Sequence, residues 1–179
     1  MRQVLRIITV LTVVGIISGA SLVFVYKYAS PLIENNQKEE TRSAIFKIYP
    51  DAKTYTEKGE GLFLVKDKNG KELGYAFTAE GNGYQGKIKI MAGIKEDFST
   101  LLGIEILESQ ETPGLGQEIT SDNFRKQFVN LKTSPDIEYV RGKKPDKANE
   151  IQAITGATIS SRAVVTILNA RIEEIKGKD

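Results

Sequence analysis

The chain has 179 residues, with 25 Lys and Arg against 23 Asp and Glu, a formal charge of +2, and neither Cys nor His. That inventory excludes Cys-ligated iron–sulfur clusters, thiol nucleophiles, His-ligated haem and the usual zinc sites within this chain, and it removes the usual base of serine-type hydrolysis. Setting aside Arg2 and Arg6, which precede the first apolar run, leaves 23 basic against 23 acidic residues, a balance that argues against a nucleic-acid surface. A carboxylate-only Mg or Ca site is left open by this composition, but no EF-hand-like spacing is present and no metal ligand set is expected. No acid–base constellation is visible, so no catalytic side chain is expected either, and redox chemistry here would need an organic cofactor.

Residues 7–26 carry no charge. At 1.5 Å per residue, a helix of that length spans roughly the 30 Å hydrocarbon thickness of a bilayer. The run is too long for a signal peptide, and Lys27-Tyr28-Ala29-Ser30-Pro31 offers a poor cleavage site. An uncleaved transmembrane anchor over residues 1–30 is the expectation, touching membrane lipid. Arg2, Arg6 and the amino terminus outweigh Lys27, although a wider window that includes Lys38 and Arg42 ties or reverses the count. The expected placement is the cytoplasmic membrane, crossed once, with the domain on the extracytoplasmic side. Gly15 and Gly19 form a GxxxG pair that either lets another helix approach closely or is a chance pair in a glycine-tolerant membrane helix.

Pro31 is expected to break this helix or bend it. Residues 34–49 then read as a charged helix with Ala44, Ile45 and Ile48 on one face, ending near Pro50. A strand is expected over 61–65, and Asn69-Gly70 signals a hairpin with a type I′ turn leading to a partner strand over 72–79. Gly81-Asn82-Gly83 breaks the chain before residues 84–94, where Ile88, Ile90 and Ala92 alternate with Lys87, Lys89 and Met91. Further strands are expected over 102–107 and 137–140, with a short helix carrying Phe124 and Phe128. The basic residues between Lys132 and Lys147 read as a solvated loop. In the last helix Val165, Leu168, Ile172 and Ile175 recur at the period of one buried face. Strands joined by tight hairpins and flanked by helices imply an α+β domain over residues 31–179 with a largely antiparallel sheet.

Two segments carry the chemistry. Glu111-Thr112-Pro113-Gly114-Leu115-Gly116 follows a strand as an irregular, backbone-exposed loop, where glycines permit a flat ring to approach the main chain and Leu115 can cover it. Thr155-Gly156-Ala157-Thr158-Ile159-Ser160-Ser161 opens the last helix, whose free N–H groups favour a phosphate. Read singly, the first is also a plain structural turn. In the second, the hydroxyls of Thr155, Thr158, Ser160 and Ser161 are also ordinary helix caps.

Taken in this order, the N-terminal anchor, residues 83–88, residues 111–116, and residues 155–161 followed by Arg162-Ala163-Val164-Val165 resemble the G subunit of Rnf-type electron-transport complexes, itself similar to the C subunit of sodium-pumping NADH:quinone reductases. The resemblance implies FMN bound through a phosphoester to Thr158 of the motif Thr155-Gly156-Ala157-Thr158, with Glu111, Thr112, Leu115 and Gly116 beside the flavin; the hydroxyls of Thr155, Ser160 and Ser161 are then candidate phosphate or ribityl partners. It further implies a membrane-anchored electron carrier in an ion-translocating ferredoxin:NAD oxidoreductase, matured by a flavin transferase and packed with other membrane subunits. That is an electron-transfer part of a larger oxidoreductase rather than a stand-alone enzyme. The competing expectations are the C subunit of a quinone reductase or a flavin-free membrane-tethered binding domain. The chain departs from the family pattern at Gln152, where an acidic residue is common, and at Ser109, where a histidine is common; the first bears on recognition by the flavin transferase and the second on the flavin potential.

Overall fold

The computed structural model describes residues 1–177, so the last two residues of the expected 31–179 domain lie outside them. The chain divides into two compact units, Met1–Glu40 and residues 41 onward. In the first, helix α1 (Arg2–Ile48) begins at once and is the one described helix long and apolar enough to cross a membrane. Two of its hydroxyls bond back into the helix: Thr9 Oγ1 donates to the Leu5 carbonyl at 2.9 Å and Ser21 Oγ to Ile17 at 2.8 Å. Pro31 sits inside α1 and does not end it, so of the two expected outcomes, a break or a bend, the break does not occur. A proline removes its own N–H from the ladder, while the turns on either side keep their bonds.

The second unit is built on a five-stranded meander: β1 (Ala52–Gly59), β2 (Leu62–Asp67), β3 (Glu72–Asn82), β4 (Lys87–Ile94) and β5 (Leu101–Ser109), each strand antiparallel to the next. A second, two-stranded sheet pairs β6 (Glu138–Val140) in parallel with β7 (Glu150–Gln152). With the flanking helices α2 (Asp122–Arg125) and α3 (Thr158–Lys176), this is the α+β arrangement with a largely antiparallel sheet that the sequence implied.

Alternation along the strands sends side chains to two separate cores. Phe77, Ile88, Ile90, Ala92, Leu101 and Ile104 pack with Val165, Leu168, Ile172 and Ile175 of α3 and with Phe124 and Phe128. The opposite face, through Phe63, Val65, Ala76 and Met91, packs on Ala44, Ile45 and Tyr49 at the end of α1. Met91 falls in sequence with Lys87 and Lys89 but is fully buried, because the α1 terminus covers its end of the strand.

Tyr49 pins that terminus to the sheet. Its hydroxyl donates to the Tyr75 carbonyl at 2.7 Å and accepts from the Ile94 N–H at 3.1 Å, and burial pushes its ionisation upward. Tyr49→Phe is expected to cost about 1–2 kcal/mol, the net worth of such bonds plus an unpaired buried amide. Urea denaturation of the two proteins measures the difference, and superimposable curves would show that the hydroxyl contributes nothing.

The β2–β3 hairpin forms as expected, but its turn is not type I′. Of the two central residues only Gly70 has a positive φ, +80°. Asp67 organises the turn instead: its Oδ1 accepts from the N–H of Asn69 at 2.7 Å and of Lys71 at 2.9 Å, while the Gly70 N–H donates to the Asp67 carbonyl at 3.2 Å. An aspartate at the start of a turn competes well for these amides. The basic run between Lys132 and Lys147 is exposed but partly paired, with Lys143 on Asp146 at 2.7 Å and Lys147 on Glu138 at 2.8 Å.

Candidate functional site

The segment after β5 and the segment before α3 meet at one cavity of about 410 Å³, lined by Tyr84, Glu111, Thr112, Leu115, Gly116, Gly156, Ala157, Thr158, Ile159 and Ser160. That size lies in the range of small-molecule sites. The two segments are 49 residues apart where Ser160 Oγ donates to Glu111 Oε2 at 2.6 Å.

Each wall has a local cause. The Thr112 carbonyl accepts from the N–H groups of Leu115 at 3.2 Å and Gln117 at 3.1 Å, closing residues 112–117 into a turn that continues as a 3₁₀ helix, Gly116–Thr120. Thr112 Oγ1 donates to Gln85 Oε1, tying this turn to the β3–β4 connection. On the other wall Gly156 has φ +84°, a left-handed conformation that a side chain would strain, and its Cα faces Leu115. Ala157 then precedes α3 with no side-chain cap, although the sequence supplies hydroxyls on both sides of it. The first-turn N–H groups of α3 are therefore left to whatever occupies the cavity. Thr158, the first helical residue, is half-buried, and its hydroxyl makes no hydrogen bond among the described residues.

Glu111 is the electrostatic centre of the site. It is 5% exposed. Its Oε1 accepts from the N–H of Tyr84 at 2.7 Å and of Gln85 at 3.0 Å, while Oε2 takes the Ser160 hydroxyl. Burial, the largest single influence, raises its carboxyl pKa, but the donors from Ser160 and the backbone of Gln85, Tyr84 and Gly86 outweigh it and hold the group below the ordinary carboxylate value. No Lys or Arg forms an ion pair with it among the described residues.

The cavity brings together eight of the ten residues singled out in the sequence: Glu111, Thr112, Leu115, Gly116, Gly156, Ala157, Thr158 and Ser160. Thr155 is exposed and lines a neighbouring cavity with Gln152 and Lys144. Ser161 is fully buried and structural: its hydroxyl accepts from Ile154 N–H and donates to the Ala157 carbonyl, both at 3.0 Å, locking the turn that leads into α3. Ser109 accepts from the Glu111 N–H at 3.4 Å, so it shapes the loop entry.

Two lining residues, Tyr84 and Ile159, were not singled out. Tyr84 lies in the Gly83–Gly86 connection, and Ile159 falls off the buried stripe of α3, which is the signal that could have found it. Four large apolar side chains are strongly exposed among the described residues beyond position 40: Tyr84 at 68%, Leu115 at 51%, Val129 at 52% and Ile159 at 46%. Three of the four rim this cavity. Exposed apolar surface gathered at one concave place marks a binding site more often than scattered exposure does.

The FMN-binding domain family model matches residues 83–173, a span that holds every residue lining the cavity. The chain is 29% identical over 189 aligned positions to the G subunit of the ion-translocating oxidoreductase complex of Methanosarcina acetivorans, covering 99% of this chain and 97% of that protein. It is 31% identical to the G subunit of the proton-translocating ferredoxin:NAD(+) oxidoreductase complex of Clostridium ljungdahlii, covering 92% and 88%. Among solved structures, NqrC of Shewanella oneidensis shares the fold with a TM-score of 0.59 at 21% identity, over 69% of this chain and 67% of that one. The chain therefore belongs to the family of G subunits of Rnf-type ion-translocating oxidoreductase complexes and carries that family's FMN-binding domain.

Proposed function

We propose that this chain carries FMN in the cavity between residues 111–116 and α3, attached through a phosphoester to Thr158 Oγ1, and serves as a membrane-anchored electron carrier. The observation that carries the reading is the position of Thr158: a hydroxyl without a partner, at an uncapped helix N-terminus, opening into a cavity of flavin-compatible size. The residues fit the group part by part. The free N–H groups of the first turn of α3 suit a phosphate, Gly156 and Gly116 keep the walls low, and Leu115, Tyr84 and Ile159 supply apolar cover for a ring.

FMN supplies the redox chemistry when bound; the chain supplies position and field. The helix terminus stabilises a phosphate by about 0.3–1 kcal/mol at an exposed end, too little to retain a cofactor. A covalent bond from Thr158 makes retention independent of affinity. Ser160 donates to Glu111, so its part is to fix the wall. Ser161 fixes the turn that leads into α3.

The relatives named as parts of ferredoxin:NAD(+) oxidoreductase complexes support, by extension, a role in a multisubunit ion-translocating assembly with other membrane subunits. Residues 1–30 act as a single-pass anchor in the cytoplasmic membrane, with the flavin domain outside, and a flavin transferase loads Thr158. The C subunit of the sodium-translocating NADH-quinone reductase of Haemophilus ducreyi aligns over only 58% of this chain, which favours the Rnf-type assembly over the quinone reductase.

The test is production of the full chain beside an active flavin transferase, followed by denaturing electrophoresis under ultraviolet light. Wild type is expected to fluoresce and Thr158→Ala to be dark. Equal darkness in both, or fluorescence persisting in the variant, would contradict attachment at this residue.

A further inference from the structure

We propose that Glu111 is a positioning residue whose fixed negative charge lowers the reduction potential of flavin held in the cavity. The inference rests on the FMN reading above and goes beyond it by separating two jobs that one side chain performs.

The first job is mechanical. Glu111 joins three pieces of the wall: the Tyr84–Gln85 connection through Oε1, the first turn of α3 through Oε2 and Ser160, and its own loop. Space has been left for it. A Cβ at Gly83 or at Gly116 would collide with its carboxylate oxygens, and a Cβ at Gly116 would also lie 2.7 Å from Ser160 Oγ. The carboxylate is thus built into the site.

The second job follows because the mechanical one needs no charge. A glutamine in the same place presents an amide oxygen to the two backbone N–H groups and an amide N–H to Ser160, whose hydroxyl accepts as readily as it donates. A buried carboxylate carries a desolvation cost that the amide avoids. Here no cation among the described residues offsets it; only neutral dipoles do. A second anion at the helix end that suits a phosphate also works against holding that phosphate. The carboxylate therefore keeps its full negative charge in the cavity wall, with no cation paired to it among the described residues, and that charge acts on whatever ring the cavity holds. Electrons added to a flavin in the cavity enter the field of a nearby fixed anion in a site of reduced dielectric, so reduction becomes less favourable. Both electrons and any protons taken up by the ring come from outside, and Glu111 contributes neither.

The full chain loaded with FMN is titrated with dithionite and redox mediators, following flavin absorbance, for wild type, Glu111→Gln and Ser160→Ala. Glu111→Gln is expected to have a higher midpoint potential than wild type. Ser160→Ala strips the carboxylate of a neutralising donor, and its midpoint is expected to fall. A purely structural role moves both variants in the same direction, so a shared upward shift overturns the inference, as does an unchanged or lower midpoint in a flavin-bearing Glu111→Gln. If Glu111→Gln holds no flavin, the direction of Ser160→Ala decides, downward in support and upward or unchanged against. Absorbance before titration separates the two levels of the argument: a wild-type chain without flavin overturns the FMN reading and this inference with it.

Discussion

Phe77→Ala is expected to destabilise the folded domain by about 3–5 kcal/mol, the range for removing a buried aromatic side chain from a packed core. Phe77 lies in β3 beside Ala92 of β4, fully buried in the core that also seats Leu168 and Ile172 of α3. The loss combines transfer free energy with a cavity beneath the helix, and the strands on both sides of Phe77 limit how far the gap can collapse. Urea denaturation of the full chain in detergent, followed by the tyrosine near-ultraviolet signal, reads the effect as a lower midpoint with the slope unchanged. A shift worth less than about 1 kcal/mol would contradict the packing of α3 on this face. The consequence reaches the cavity, since Thr158 lines it from the N-terminal end of α3.

Glu111→Ala is expected to cost about 2–3 kcal/mol. Three donors lose their acceptor at once: the N–H groups of Tyr84 and Gln85 and the hydroxyl of Ser160. A buried polar group left unpaired costs about 1–3 kcal/mol. The Tyr84–Gln85 turn is at the surface and recruits water, so most of the loss falls at buried Ser160. The effect carries a pH signature. The Glu111 carboxyl lies below its ordinary value of 4.5 in the folded chain, because the Ser160 hydroxyl and the backbone of Gln85 and Tyr84, with a smaller influence from the Gly86 backbone, outweigh the upward push of burial. A group with a depressed folded-state pKa adds stability that is complete above its unfolded value and is lost as pH falls through the folded one. The gap between wild type and Glu111→Ala is therefore expected to be constant from about pH 8 to about pH 5 and to narrow below about pH 4.5. A gap that widens on acidification would contradict the arrangement of donors around the carboxylate.

Periodicity made part of this fold legible. The stripe Val165, Leu168, Ile172 and Ile175 is buried as its spacing implied, and so are Ala44 and Ile45 at the end of α1. Strand alternation read Ile88, Ile90 and Ala92 correctly but not the burial of Met91, which depends on a helix distant in sequence. β1 carries few apolar residues because it is an edge strand, and β7 is three residues long; neither has a pattern long enough to register. The Asn69-Gly70 pair announced a hairpin, yet the carboxylate of Asp67, two residues before Asn69, set the turn type.

At the cavity, the local residue pattern marks the loop and the helix mouth but not which hydroxyls face it. Ser160 and Ser161 are neighbours in an identical context, and helix geometry turns one toward Glu111 and the other into the core. Thr155 precedes the left-handed Gly156, which sends it to the neighbouring cavity. Tyr84 enters through a β-connection whose position depends on sheet register, something no local pattern encodes.

The proposed attachment at Thr158 is tested most directly by mass analysis of the peptide spanning the start of α3, taken from the full chain produced beside an active flavin transferase and isolated from membranes. The expected peptide is heavier by the mass of FMN less one water, with fragmentation placing the addition on Thr158. An unmodified peptide, or the same addition on Thr155 or Ser160, would contradict it.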